Sequence, residues 1–320
     1  MIKRAVFLVV LALGQAARPS TLIDSSQLLR DLQTLSADDM HGRQADTPGG
    51  EKARAYVTER LKASGVAPFG ESYAAPFTFA SGGRAAAQGE RHGVNVIGHI
   101  DGTRTPTRYI VVSAHYDHIG TRNGVVFNGA DDNASGTAAL FAVAKYFSTH
   151  PPAHSLLFVA FDAEEAGLRG STAFVKQPPV DAAALAIDLN MDMIGRDPDD
   201  KLFVVGTYLQ PALKPFVERI AAGAPVKLLI GHDNPNEKNV EDWTKDSDHY
   251  SFIQAKIPAL YFGVEDYPQH HKATDDYDTM TFDFYVRAVE TMVQAVKLFD
   301  AELERLQPAT RPLMGPSRLP

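Results

Sequence analysis

The sequence predicts an α/β protein, a three-layer α/β/α sandwich around a mixed, largely parallel central sheet. Three observations carry this. The stretches 109–114 (YIVVSA) and 156–161 (LLFVAF) are apolar runs of strand length without polar alternation, the pattern of strands buried on both faces. They alternate with segments whose apolar residues recur at helical spacing, and such alternation places helices over a parallel sheet. The buried runs also end in acids or histidines, which is how a ligand-binding sheet edge reads in sequence.

In chain order, Leu28, Leu29, Leu32 and Leu35 give residues 20–36 helical spacing, and His41-Gly42-Arg43 lies in a polar loop. Pro48 opens a second helix, carried by Ala53, Tyr56, Val57 and Leu61 and stopped at Gly65, with the expected Pro-first, Gly-last asymmetry. Strands are expected at 71–80, 95–100, 109–114, 156–161, 183–191, 202–205, 226–230 and 259–262. Helices are expected at 134–147, 211–222 and 282–306, and a Gly/Ala-rich turn or excursion at 81–93. Residues 18–306 read as one domain, and 307–320, with four prolines, as a loose tail.

The first 17 residues read as an address. Met1-Ile2-Lys3-Arg4 is a positive n-region, 5–13 a short apolar run, and Gly14-Gln15-Ala16 supplies small residues for cleavage after Ala16 or Ala17. The run is too short for the ~20 apolar residues of a spanning helix, so the expectation is a signal peptide and an exported, periplasmic or secreted protein. No stable membrane insertion is expected after cleavage.

Composition narrows the chemistry. With 320 residues, 31 basic against 39 acidic side chains and a formal charge of −8, the chain lacks the basic footprint of a nucleic-acid binder. It has no cysteine, which removes disulfides, thiol catalysis and Cys-ligated metals. A metal site must draw on His, Asp and Glu.

Those residues fall at the predicted carboxyl ends of strands. YIVVSA runs into His115-Tyr116-Asp117-His118, LLFVAF into Asp162-Ala163-Glu164-Glu165, and the 183–191 strand into Asp192. His115 and Asp117, at i and i+2, share a face if extended geometry persists, and the Asp could then orient the imidazole. Gly129-Ala130-Asp131-Asp132-Asn133 precedes a helix, and His270-His271-Lys272-Ala273-Thr274-Asp275 precedes the last one. Singly, each has a bland reading: a surface strand end, a helix cap, a first-turn acid pair, a solvated loop.

Taken in order, His115-x-Asp117, GADDNASG, DAEEAGLRGS, NMDMIG and HHKATDD resemble the M28 family of dinuclear zinc aminopeptidases. The flanks HGR…TPGGEKARAYV, NVIGHIDG and SDHYSFIQAKIPALYFG agree with it. The resemblance implies that His115, backed by Asp117, and Asp192 bind one metal. Glu165 and His271 bind the second, and Asp132 bridges both, followed by a peptide bond that the family holds cis. Glu164 is implied as general base. His271 is preferred to His270 because Asp275 follows it by four residues. Two Zn2+, with Co2+ or Mn2+ as substitutes, are the implied cofactors, and peptides with a free N-terminus the implied substrates. The implied reaction is hydrolysis of the N-terminal peptide bond by a metal-bridged water.

Two departures stand out. His270 occupies the place of a family Tyr, and Asp246 precedes Ser247-Asp248-His249 where some relatives have Arg. His249 is expected to stabilise its loop. Trp243, Phe262 and Tyr267 lie near the expected pocket. The alternatives are a single-zinc glutaminyl cyclase, carboxypeptidase or dipeptidase specificity on the same site, and a metal-free binding module.

Overall fold

The computed structural model describes residues 20–80 and 89–306. The expected signal peptide, the 307–320 tail and residues 81–88 of the expected excursion lie outside the described residues; residues 90–93 belong to a strand.

The helices are α1 Ser25–Leu35, α2 Pro48–Ala63, α3 Gly136–Thr149, α4 Arg169–Lys176, α5 Lys214–Gly223, α6 His249–Gln254 and α7 Phe282–Glu302. The strands are β1 Ala67–Pro68, β2 Ala74–Ala80, β3 Glu90–Ile100, β4 Thr105–His115, β5 Thr121–Arg122, β6 Val125–Val126, β7 His154–Phe161, β8 Leu185–Met191, β9 Lys201–Val205, β10 Lys227–Ile230 and β11 Ala259–Gly263. The main sheet has the order β1-β3-β7-β4-β8-β11-β9-β10, with β2 also pairing β3. It is mixed, as the sequence predicts. The central strands β7, β4, β8 and β11 run parallel, while β1, β2 and β3 on one flank and β9 on the other join antiparallel.

Residue alternation along β4 explains the three layers. Ile110, Val112 and Ala114 enter a core with α1, α2, α3, α5 and α7, including Leu28, Val57, Leu140, Val217 and Val289. Val111 faces the other way, into a core with Phe174 of α4 and Phe252 of α6. The sequence reading placed no helix at α4 or α6. Both are short, at 8 and 6 residues, and too brief for helical periodicity to accumulate, yet they cover the second face.

Helix starts follow local chemistry. Asp24 caps α1 by accepting from Gln27 N at 2.9 Å, and Thr47 caps α2, with Pro48 behind it, by accepting from Gly50 N. The 134–147 helix begins only at Gly136, because residues 130–135 form an irregular turn with non-helical Asp132 and Asn133.

Parallel strands share one carboxyl edge. β4 ends at His115, β7 is followed by Asp162, and β8 by Asp192, so residues distant in sequence meet there. The sheet must stay dry on both sides. Phe158→Ala, emptying a fully buried site, should cost about 3–5 kcal/mol, read as a lower midpoint in urea unfolding with unchanged slope.

Candidate metal centre

Asp132 reaches the carboxyl edge because its turn is tied down on every side. Gly129, at φ +56°, opens the turn, and a Cβ there would lie 2.0 Å from the Asp132 carbonyl oxygen; only glycine fits. The Asp132–Asn133 peptide is cis, as the resemblance implies. Asn133 ties the turn to the end of β8, donating to the Met191 carbonyl at 2.9 Å and accepting from Met193 N at 3.3 Å. From the other side Asp275 accepts from the backbone N–H of Asp131 and Asp132 at 3.0–3.1 Å. Arg196 donates to the same carboxylate at 2.7 Å.

Asp275, whose spacing favoured His271 over His270, hydrogen-bonds to the Asp131 and Asp132 amides and Arg196 rather than to that ring. It anchors the Asp132 turn. Arg43 is a second anchor. It is fully buried and donates to the carbonyls of Leu35 at 2.7 Å, Tyr116 at 2.9 Å, Gly129 at 2.9 Å and Asn128. The guanidinium thus stitches the segment after β4 to the Asp132 turn. Its charge lies within the field of Asp132, Asp275, Asp117 and Glu165, and burial lowers its pKa to about 10.

The five donors expected from the sequence converge. His115 Nε2 lies 3.1 Å from Asp192 Oδ1 and 3.4 Å from Asp132 Oδ1. His271 Nε2 lies 3.1 Å from Asp132 Oδ2 and 3.1 Å from Glu165 Oε2. His270 also approaches Asp132 Oδ2, at 3.6 Å, but its Nδ1 is held by Asp266 at 2.7 Å. Of the two neighbours, His271 is the one in contact with Glu165.

Asp117 stands behind His115: its carboxylate is 3.7 Å from His115 Nδ1 and its backbone carbonyl, at 3.1 Å, is the nearer acceptor for the ring. The same carboxylate accepts from Glu164 N at 3.0 Å.

His118 was given no role by the sequence reading. It is fully buried, with Nδ1 2.7 Å from Glu165 Oε1 and 3.5 Å from Asp132 Oδ2. The signal was its place in His115-Tyr116-Asp117-His118, missed because a strand continued through this run would turn it away. Ser247, also overlooked, donates to Asp192 Oδ2 at 2.7 Å. His249 is buried behind the pocket, its ring stacked on Tyr261 with centroids 5.0 Å apart, and burial lowers its pKa to about 4.

The donor set fits divalent cations. Three groups, His115/Asp132/Asp192, His118/Asp132/Glu165 and Asp132/His270/His271, each bring ligand atoms within 4.8 Å of one another, and all contain Asp132. Glu165 Oε1 and both ring nitrogens of His118 are buried without a hydrogen bond. Although close, Nδ1 and Oε1 are not aligned for one, which leaves electron pairs for an ion. Imidazole and carboxylate donors of this kind suit zinc.

Electrostatics agree. Burial pushes Glu164 well above the usual carboxylate range, against the pull of His115 and with the push of Asp248 and Asp192. Burial works the same way on Glu165, but the His118 and His271 rings hold it well below that range. His115 would be lowered by burial, yet Asp192 and Glu164 raise it well above the imidazole range.

A cavity of about 470 Å³ opens over the cluster, lined by Glu164 and His271 and walled by Trp243, Tyr261, Asp246 and Asp266. Trp243 stacks on His232 at 3.5 Å between ring centroids. Phe262 is core, and Tyr267 donates to Asp197 at 3.1 Å.

His271 is raised to about 10, chiefly by Asp132 and Glu165. At neutral pH its ring carries a proton that a metal ion must displace. Zinc binding to the metal-free chain should therefore release protons and strengthen from pH 6 to pH 8. Asp132→Ala, which removes the carboxylate common to all three groups, should abolish zinc binding in a chelator-competition titration, whereas His271→Ala should weaken it.

The model of peptidase family M28 matches residues 95–296. A probable zinc metalloprotease of Pyrenophora tritici-repentis is 27% identical over 210 residues, covering 55% of this chain and 48% of that protein. The chain spans about half the length, or less, of the curated relatives it matches. A zinc aminopeptidase from Bacillus subtilis superposes with TM-score 0.71 at 16% identity, covering 88% of this chain and 96% of that one. A glutaminyl cyclase from Fimbriiglobus ruber does so with TM-score 0.68 at 21% identity, covering 88% and 99%. At such identities the likeness establishes the fold. The family match spans most of the described sheet and every expected donor, and the chain belongs to peptidase family M28.

Proposed function

We propose that the chain is an exported metallo-aminopeptidase that hydrolyses the N-terminal bond of peptides, with two divalent ions, zinc first among them. The observation that carries the reading is Asp132, the one carboxylate common to all three metal-capable groups. His115 and Asp192 would hold one ion and Glu165 and His271 the other, with His118 beside Glu165. Bound there, the ion pair supplies a Lewis acid for the scissile carbonyl and lowers the pKa of a water toward neutrality.

Glu164 is the general base. It lines the cavity, and Asp117 fixes its backbone. Its carboxylate takes the proton from the attacking water and passes it to the leaving amine. Burial raises its proton affinity, which suits a base. An ion pair alongside would draw it back toward neutrality.

The cavity wall favours an amine over a carboxylate. Asp246, Asp266 and Glu241 line it, with Lys245 the lone cation among the described lining residues outside the histidines. A free α-ammonium is attracted there, whereas the C-terminal carboxylate of a carboxypeptidase substrate would be repelled. Export rests on the residues 1–17 pattern. Among the described residues no helix is long and apolar enough to cross a membrane.

Glu164→Ala should lower kcat by about 10²–10⁴-fold while metal content by elemental analysis stays at the wild-type value; wild-type kcat in that variant would refute the assignment. N-acetylation of the substrate, or a chelator, should abolish turnover. Release of ammonia from Gln-initiated peptides without release of a residue would identify a cyclase instead.

A further inference from the structure

Imidazoles crowd one oxygen of Asp132. Around Oδ2, His271 Nε2 lies at 3.1 Å, His118 Nδ1 at 3.5 Å and His270 Nε2 at 3.6 Å. On the Oδ1 side stands His115, its Nε2 at 3.4 Å. A carboxylate oxygen offers about two acceptor positions, so hydrogen bonding to Asp132 does not account for three rings around Oδ2. A shared cation does. Ligand atoms bonded to a tetrahedral ion at ~2.0–2.1 Å stand roughly 3.3–3.4 Å apart, and the three separations bracket that spacing.

His118 and His271 also meet Glu165, at 2.7 Å and 3.1 Å. His270, which stands where the family resemblance places a Tyr, has no role so far. Two features prepare it as a ligand. Its Nδ1 donates to Asp266 at 2.7 Å. A carboxylate in that position keeps the proton on Nδ1 and leaves Nε2 its electron pair, the arrangement found behind metal-bound histidines. The second feature is direction. Consecutive side chains diverge along a strand or a helix, yet the His270 and His271 rings lie 4.1 Å apart between centroids and both reach Asp132. His271 takes left-handed backbone, at φ 53°, a conformation costly for a residue with a Cβ and kept where the surroundings hold it. Asp132, His270 and His271 together satisfy the spacing of a metal-binding group.

We propose that His270, oriented by Asp266, is a further ligand of the cation that Asp132, Glu165 and His271 would hold. The inference rests on the metal reading of this site. A solvated His–Asp pair would explain the Nδ1 contact but not the approach of Nε2 to a buried carboxylate. The added imidazole also gives the site a preference, because nitrogen donors favour zinc over manganese, which seeks oxygen.

The test loads the metal-free chain with zinc alone or manganese alone and reads dissociation constants by chelator competition. Asp266→Asn should weaken zinc binding by about 10–100-fold. His270→Phe, which keeps a ring and removes its nitrogens, should weaken it at least as much and shrink the preference for zinc over manganese. Ligation is read directly by proton NMR of the Co2+-loaded chain, in which a coordinating imidazole gives a strongly shifted, exchangeable N–H signal. His270→Phe should lose one such signal and His271→Phe a different one. Unchanged zinc affinity and unchanged signals in His270→Phe, with a signal lost in His271→Phe, overturn the proposal and leave the metal centre intact. Weaker zinc binding in His270→Phe with every shifted signal retained overturns it too, since His270 then acts without ligation. If circular dichroism shows that His270→Phe does not fold, Asp266→Asn decides: wild-type zinc affinity there overturns the proposal. A wild-type chain that binds no zinc overturns both the proposal and the metal reading.

Discussion

Carboxylates resist burial more strongly than almost any other group, yet this fold gathers them along one sheet edge. Asp132, Asp192, Asp117 and Asp275 are all nearly inaccessible, and Glu164 and Glu165 stand beside them. Such a cluster persists only if cations or hydrogen bonds offset the mutual repulsion and the lost hydration. The chain supplies part of the offset through Arg43, Arg196 and the histidines. The remaining donors point inward at one another with atoms left unpaired. Divalent cations are the natural counter-charge, and the surrounding architecture holds the acids in place around the donors that could bind them.

That architecture works mostly through the backbone. Arg43 binds four carbonyls instead of a carboxylate, Asp275 binds two amides, and Asp117 binds the amide of Glu164. Asn133 fastens the turn to β8. The groups that position the centre therefore fix loop conformation first, and side-chain direction follows. Gly42 shows how tight the packing is, because a Cβ there would meet the carbonyl oxygens of Gly120 and Phe127 at 2.5 Å. The HGR turn can seat Arg43 beneath the centre only without that side chain.

Much of this was legible in the sequence. The buried strands declared themselves because β4 and β7 are covered on both faces and carry no polar alternation. Their parallel arrangement made the acids and histidines that follow them neighbours. What escaped was local. Helices α4 and α6 are too short for periodicity to show. Asp117 reaches the Glu164 amide as well as His115. Asp275 was singled out by its spacing from His271, but in loops spacing does not determine direction: it turns toward the Asp131 and Asp132 amides. His118 was overlooked for the same reason, since the strand geometry that would have turned it away ends at His115.

The sequence by itself determined the sheet, its double burial and the family to which the donors belong, because hydrophobic periodicity and ordered motifs are properties of the linear chain. Only the tertiary structure decided which atoms meet. Asp132 is common to three groups of potential ligands, and His118 joins Glu165. These depend on how the loops at the carboxyl edge turn, and that is set by long-range hydrogen bonds between residues some 60–145 positions apart, which no local pattern encodes.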